Sequence, residues 1–445
     1  MRAGRTSQSN VEITRRACFW LLALAPLLAQ DRVQPLTILH SNDLHAHLLP
    51  DATGAGGFAY LAATVRQERS RCAACLYLNA GDLVQGTPVS TLFRGVPVYE
   101  IGNGLGFDAA VIGNHEFDYG WRSVQKFAQI AKYPVLSANV VNDAGNPITG
   151  RAFVILKTGG MRVAVIGVVM GDMMATLVTP KDAGPWHVAP LIETIRKYVA
   201  EVKDRADLIV VLGHIKDQEG DEILRDVPEV GVVVMGHDHR GFTEMRRVDG
   251  RVGVLLRSYG VELGRLNLQV NVATHGIKSA EWTRIPIDSK KIEPAADVAR
   301  SVAQWENKAS KIVDVPVGES KRPLSVDDLR VLIEKAMQEE THSDLAYMNH
   351  GGVRDVIPAG QLLARNVWNV LPFEDYVVTA KCKGSQLPKA VAGGRSIDPD
   401  RQYTFATVDF VATVEFAKSR ITFTNSGLLI RDLMIDWIKK KKILD

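Results

Sequence analysis

The chain has 445 residues, 46% of them hydrophobic and 23% charged, with a formal net charge of +3. That composition is globular, and the length suits two or three domains rather than a fibrous, disordered or membrane-embedded chain. Arg2, Arg5, Arg15 and Arg16 against Glu12 put the excess charge in the first thirty residues. The remainder is near neutral and argues for neither a nucleic-acid polymer nor an anionic membrane as partner.

The first predicted element is TRRACFWLLALAPLLAQ, residues 14–30. Arginines followed by about a dozen apolar residues and a small-residue end predict a secretory signal over residues 1–30, with cleavage fitting after Ala29. Arg15-Arg16 leaves a twin-arginine route open beside the general one. No later segment has 18 consecutive apolar residues, so no membrane span is expected in the mature chain, and a periplasmic or secreted location follows. Cys72 and Cys75, in C-A-A-C ahead of the strand CLYLNA, predict a local disulfide in an oxidising compartment.

Five apolar, β-branched runs then end in similar polar residues. LTILHSNDLHAH ends with Asp43 and His45, CLYLNAGDL with Asp82, and DAAVIGNHEFD with Asn114 and His115. DLIVVLGHIKD carries His214, and VGVVVMGHDHR carries His237 and His239. Helix-like segments such as GGFAYLAATVRQERS and APLIETIRKYVAEVKDRA separate them, which predicts βα units with buried strands. Ligands of such sheets bind beyond the carboxyl ends of the strands, so five strand ends would surround one crevice. A single histidine after a strand is usually a core or loop residue; five strand ends with Asp, His or Asn are a different matter. The donors are oxygen and nitrogen without thiolate, which suits zinc, manganese, iron or nickel. Seven ligands are too many for one tetrahedral ion and suit two divalent ions sharing one carboxylate. Asp43 and Asp82 would leave part of their positive charge to hold a hydroxide and attract a phosphate dianion.

These stretches resemble the calcineurin-like metallophosphoesterases, and more closely the secreted 5'-nucleotidase and UDP-sugar hydrolase family. The blocks carrying the resemblance are D43-L-H45, G81-D82, G113-N-H-E116, G213-H214 and G236-H-D-H239, in the family's order. The resemblance implies an α/β fold: an N-terminal four-layer αββα metallophosphoesterase sandwich plus a smaller α+β C-terminal domain of 5'-nucleotidase type. Its expected divisions are a dimetal domain over residues 31–289, a linker helix within 290–316 and a substrate-binding domain over 317–445. It gives Asp43, His45, Asp82 and His239 to one metal, and Asp82, Asn114, His214 and His237 to the other. His115 is then the catalytic histidine, oriented by Asp118, while Glu116 has no catalytic role and is a bystander that either supports the ligands from behind or is solvated. His40 is expected to face the interior and His47 to be a candidate for the site mouth.

From residue 294, PAADVARSVAQWENKASKIVD has helical spacing, and LAYMNHGGVRDVIPAGQLLARNVWNVLPFEDYVV follows. The latter is similar to the family's C-terminal block. By that resemblance Asn349 would bond the base, Arg354 would approach the phosphate, and Phe373 and Phe410 would stack on the base. Arg322 is a weaker candidate for a further phosphate contact. His350 stands where the family has glycine, and the glycine-rich loop that usually follows the second aromatic is missing after Phe410. The last helix, with Leu429, Leu433 and Trp437, is expected to close the structure.

The expected activity is cleavage of nucleotide phosphate monoesters by in-line attack of a metal-bound hydroxide. UDP-sugar hydrolysis and 2',3'-cyclic nucleotide phosphodiesterase activity are the alternatives. A thiosulfohydrolase relative and a non-catalytic nucleotide-binding protein stand further off. The partner expected is a nucleotide or related phosphoester; metal identity and oligomeric state stay open.

Overall fold

A computed structural model describes residues 1, 32–176, 184–394 and 396–445. The expected signal segment, beyond Met1, lies outside the described residues. The first sheet runs in the order β14 (Gly276–Pro286), β13 (Glu262–Asn271), β1 (Val33–Ser41), β2 (Cys75–Asn79), β3 (Ala109–Val111) and β4 (Val135–Leu136). The short strands β5 (Val140–Val141) and β8 (His187–Val188) form a separate ladder. The second sheet runs β11 (Arg246–Val248), β12 (Arg251–Leu255), β10 (Val232–His237), β9 (Leu208–Ile215), β7 (Met161–Val169) and β6 (Phe153–Thr158). Strands β1 to β4 are mutually parallel, and so are β7, β9, β10 and β12.

The two sheets face each other across Ile38, Leu76, Leu78 and Val111 from one and Val163, Val210, Leu212 and Val234 from the other. Helices Phe58–Arg69, Val96–Gly102 and Trp121–Ile130 cover the outer face of the first sheet against Leu39, Tyr77 and Ala110. Helices Leu191–Val202 and Asp217–Asp226 cover the second. Leu191, Ile195, Tyr198, Val199 and Val202 bury one helical face, as their spacing predicts. Central strands are buried on both faces, so they read as unbroken apolar runs rather than alternating ones: every residue of β9 is buried. The four layers are therefore helix, sheet, sheet, helix. Cys72 and Cys75 form the expected disulfide between the end of helix Phe58–Arg69 and the start of β2.

Helix Ala296–Val313 leaves this sandwich with Val298 and Val302 buried against its core. Arg66 makes two 2.8 Å bonds to Asp297 at its start, and Arg365 bonds Glu306 (2.8 Å) and Asp314 (2.6 Å) near its end. Beyond it lie a three-stranded sheet containing Pro316–Ser320 and a four-stranded sheet ordered Leu345–Ala346, Gln402–Val408, Tyr376–Lys383, Thr424–Leu429. Helices Val326–Thr341 and Ile430–Lys441 fill the core between them with Leu329, Ile333, Met337, Leu433 and Trp437, around Phe405.

Candidate dimetal centre

The carboxyl ends of β1, β2 and β3 in one sheet and β9 and β10 in the other open on the same side. The chain leaving each strand turns sharply there. Asp43, His45, Asp82 and His237 have φ of 48°, 44°, 51° and 87°, in the left-handed region that costs a non-glycine residue on the order of 1 kcal/mol or more. Neighbouring backbone bonds hold them: Asp43 N–H donates to Gly81 O, and His45 N–H to Asp82 O, both at 3.0 Å. The glycines of the blocks admit this approach. A Cβ on Gly113 would collide with Asp82 Oδ1, and one on Gly236 would collide with Ala80 O.

The side chains converge in two groups. His45 Nε2 lies 3.1 Å from His239 Nε2 and 3.6 Å from Asp82 Oδ2, and His239 Nε2 lies 3.6 Å from Asp43 Oδ1. On the other side, His214 Nε2 lies 3.2 Å from the same Asp82 Oδ2 and 3.1 Å from Asn114 Oδ1, with the His237 ring 5.1 Å away. One carboxylate oxygen thus faces both groups. Two imidazoles are fixed from behind. His45 Nδ1 bonds Val84 O (3.3 Å) and His214 Nδ1 bonds Ala80 O (2.9 Å), so both Nε2 atoms are turned toward the cluster. Burial opposes a charge on His214, but Asp82 outweighs it and raises the pKa to about 10, a proton that a bound cation would displace. Mixed oxygen and nitrogen donors around a shared, buried carboxylate fit a pair of divalent cations.

The protein alone does not balance these charges. Burial pushes Asp43 up to about 6, while the histidines around Asp82 outweigh its burial and hold it well below the carboxylate range. Burial lowers His237 to about 4 and His239 to about 3, which keeps them neutral as ligands must be.

His115 stands beside the cluster, its ring 5.2 Å from that of His45, and its Nδ1 bonds Asp118 Oδ2 at 2.9 Å. Burial would lower its pKa, but Asp118 and Asp82 outweigh burial and raise it. Of the two readings of Glu116, the supporting one holds and the solvated one is corrected. It is fully buried, and its carboxylate accepts the N–H of Gly113 (2.5 Å), Asp82 (3.2 Å) and Leu83 (2.9 Å). It ties the turn bearing Asn114 to the turn bearing Asp82. The signal that could have found it is the same tight bend: a third polar side chain in G-N-H-E must point somewhere, and inward is toward unpaired N–H groups.

Two more residues escaped the sequence reading. Asn42 donates to Asp43 Oδ2 at 2.6 Å and pairs with the backbone of Leu256, and no spacing rule marks it. Tyr259 donates its N–H to Asp43 O at 2.7 Å and stacks on His47 at 4.0 Å. His40 is interior as expected, accepting from Trp282 Nε1 at 2.9 Å.

From the C-terminal region, the Phe373 ring lies 5.7 Å from that of His115 and 29° from parallel, with the Arg354 guanidinium 5.9 Å from it. Arg354 Nη2 is buried without a partner, and its charge adds to the burial that lowers the pKa of His45, His47 and His239. Asn349 and Phe410 are not brought to the cluster by any contact among the described residues. Asn349 Nδ2 donates to Glu415 at 2.5 Å, and its Oδ1 is buried and unpartnered. Phe410, half-buried, packs against the C-terminal core at the start of the wide turn Val411–Glu415. Arg322 is corrected: its guanidinium bonds Asp328 (2.7 and 3.1 Å) at the start of helix Val326–Thr341 rather than serving the site.

The calcineurin-like phosphoesterase family matches residues 36–241, and the 5'-nucleotidase C-terminal domain matches residues 312–394. Endonuclease YhcR of Bacillus subtilis is 26% identical over 86% of this chain, which spans only 37% of that longer protein. Protein UshA of Yersinia enterocolitica is 28% identical over 91% of this chain and 85% of its own length. A 5'-nucleotidase precursor from Thermus thermophilus superposes with a TM-score of 0.83 at 21% identity, covering 93% of this chain and 97% of its own, a likeness of fold. Two matched families in sequence order, over strand ends that gather a dimetal ligand set, show that the chain belongs to the calcineurin-like phosphoesterases with a 5'-nucleotidase C-terminal domain and is a metal-dependent phosphoester hydrolase.

Proposed function

We propose that the protein is exported and hydrolyses the phosphate monoester of nucleoside 5'-monophosphates. Residues 31–289 would supply the chemistry and 317–445 most of the recognition, across a crevice bridged by helix Ala296–Val313. The observation that carries this is the meeting of His115, beside the shared carboxylate of Asp82, with Phe373 and Arg354 from the other end of the chain. Relatives named 5'-nucleotidase support it, including one from Vibrio cholerae that is 24% identical over 93% of this chain.

When bound, two divalent cations supply Lewis acidity and make water acidic enough to react near neutral pH. Asp43, His45, Asp82 and His239 would hold one, and Asp82, Asn114, His214 and His237 the other. Asn114 is neutral, so it adds no negative charge to a site that must admit a phosphate dianion. Arg354 offers an unspent donor for phosphoryl oxygens. Asp118 accepts the His115 Nδ1 proton, leaving Nε2 to donate a proton to the departing ribose oxygen, a role suited to a raised pKa. Phe373 offers a flat face for the base, and Asn349 and Phe410 are proposed as further base contacts.

Export is supported by the disulfide, which suits an oxidising compartment. Among the described residues no helix is long and apolar enough to cross a membrane. The test is a panel of 5'-AMP, UDP-glucose, 2',3'-cyclic AMP and bis(p-nitrophenyl) phosphate, each with Mn²⁺, Zn²⁺ or Co²⁺. The highest kcat/KM is expected for 5'-AMP, and a higher value for the cyclic nucleotide overturns the monoester reading.

A further inference from the structure

The last helix, Ile430–Lys441, does more than close the structure. Arg431 in its first turn is only 3% exposed, and burying a guanidinium is costly unless its donors are used. Its Nη1 lies 3.3 Å from Leu371 O, 3.5 Å from Pro372 O and 3.2 Å from Phe373 O, three consecutive carbonyls of the segment that carries the Phe373 ring. Its guanidinium carbon lies 3.7 Å from the centre of the Trp368 ring, which fixes its plane. The neighbouring Ile430 N–H donates to Asp375 O at 3.0 Å, so the helix start grips the segment at both ends. The Pro372 carbonyl also accepts from Thr91 Oγ1 at 3.2 Å, on helix Pro88–Leu92 of the metal-bearing sandwich. One carbonyl is thereby shared by donors from the two halves of the crevice. What this grip holds in place is the ring beside His115.

We infer that Arg431 is a positioning residue for substrate recognition: it seats the Leu371–Phe373 carbonyls so that Phe373 lies across His115 and presents its face to the base. The inference rests on the proposed nucleotide reading for its substrate, but not for its geometry. Removing the guanidinium frees the segment and loosens the stacking face. That weakens binding of a nucleoside rather than the chemical step, and acts only through Phe373.

The test uses the zinc-loaded full chain with Arg431→Met, Arg431→Lys, Phe373→Ala and the double variant that combines Arg431→Met with Phe373→Ala. Arg431→Met is expected to raise KM for 5'-AMP about tenfold, the worth of one aromatic stack, with kcat changed less than about threefold. Arg431→Lys, which keeps a cation within reach of the carbonyls, recovers most of the loss. On the Phe373→Ala background, Arg431→Met adds less than about twofold. At fixed pH, the His115 ring protons should lose the ring-current shift imposed by Phe373 in Arg431→Met. A fall in kcat with KM unchanged, full additivity with Phe373→Ala, or an unmoved His115 signal each overturns the inference. If Arg431→Met does not fold, Arg431→Lys is carried through the same cycle with smaller expected effects. If the unmodified protein shows no preference for 5'-AMP, the nucleotide reading fails on its own, and the His115 signal still decides the role of Arg431.

Discussion

Two buried carboxylates show how differently the halves of the crevice are built. Asp82, at a strand end, is surrounded by His214, His115 and His45, which outweigh its burial and keep it ionised. Asp375, on the segment after Phe373, is pushed up to about 8 by burial and by Asp409 and Asp118, with Arg431 opposing. The first is a site made to receive cations, with its ligands fixed by backbone turns at strand ends. The second belongs to a loop whose placement depends on side chains donating to carbonyls. The metal ligands are therefore anchored in the sheets while Phe373 hangs from a segment, so changes on the two sides should be read out differently, as metal and turnover on one side and, under the proposed function, as binding and stability on the other.

Asp82→Ala is the most damaging test of that contrast. It removes the carboxylate oxygen that faces both ligand groups, and should lower kcat/KM by on the order of 10⁴-fold or more with loss of bound metal by elemental analysis. His115→Asn should lower kcat by about 10²–10⁴-fold at unchanged metal content. Loss of metal in that variant would make His115 a ligand and redraw the boundary between the two sets. Glu116→Gln keeps the shape but weakens the acceptor for three N–H groups, and should weaken metal affinity by about 10–100-fold in a competition titration.

The loop side predicts a smaller, pH-dependent effect. In the folded chain Asp375 holds a proton up to about pH 8 that the unfolded chain releases near 3.8. The folded state binds more protons across that window, so stability falls as pH rises through it. Asp375→Asn should remove that part of the slope, raising Tm at pH 8 relative to pH 5 by roughly a few degrees compared with the unmodified protein. A parallel pH dependence in both proteins would show that the carboxyl is solvated. Smallest of all, Arg322→Met should change kcat/KM by less than about twofold, because its partner is Asp328.

Much of the metal side was legible because strand periodicity and ligand type coincide at the same five places. An apolar run buried on both faces has to stop where its chain turns, and Asp43, Asp82, Asn114, His214 and His237 all stand at such stops. Glu116 was legible only in part: its bond to Gly113 lies within one bend, while its bonds to Asp82 and Leu83, like that of Asn42 to Leu256, join groups that only folding brings together. Arg431 was hidden for the same reason, some 58 residues along the chain from Phe373. In the C-terminal region the resemblance named residue types, while the contact of Asn349 with Glu415 depends on the turn Val411–Glu415, which no spacing announced.

The helix Ala296–Val313, tied by Arg66 at one end and Arg365 at the other, has a mechanical consequence. Eighteen residues make a stiff rod about 27 Å long, so a tilt of about 5° at the Asp297 end displaces the Asp314 end by about 2 Å. A shift of that size is more than the 3.2 Å bond from Thr91 to the Pro372 carbonyl can absorb, so rocking the rod would cost that bond. The two arginine pairs and that one bond thus set how stiffly the rod resists tilting.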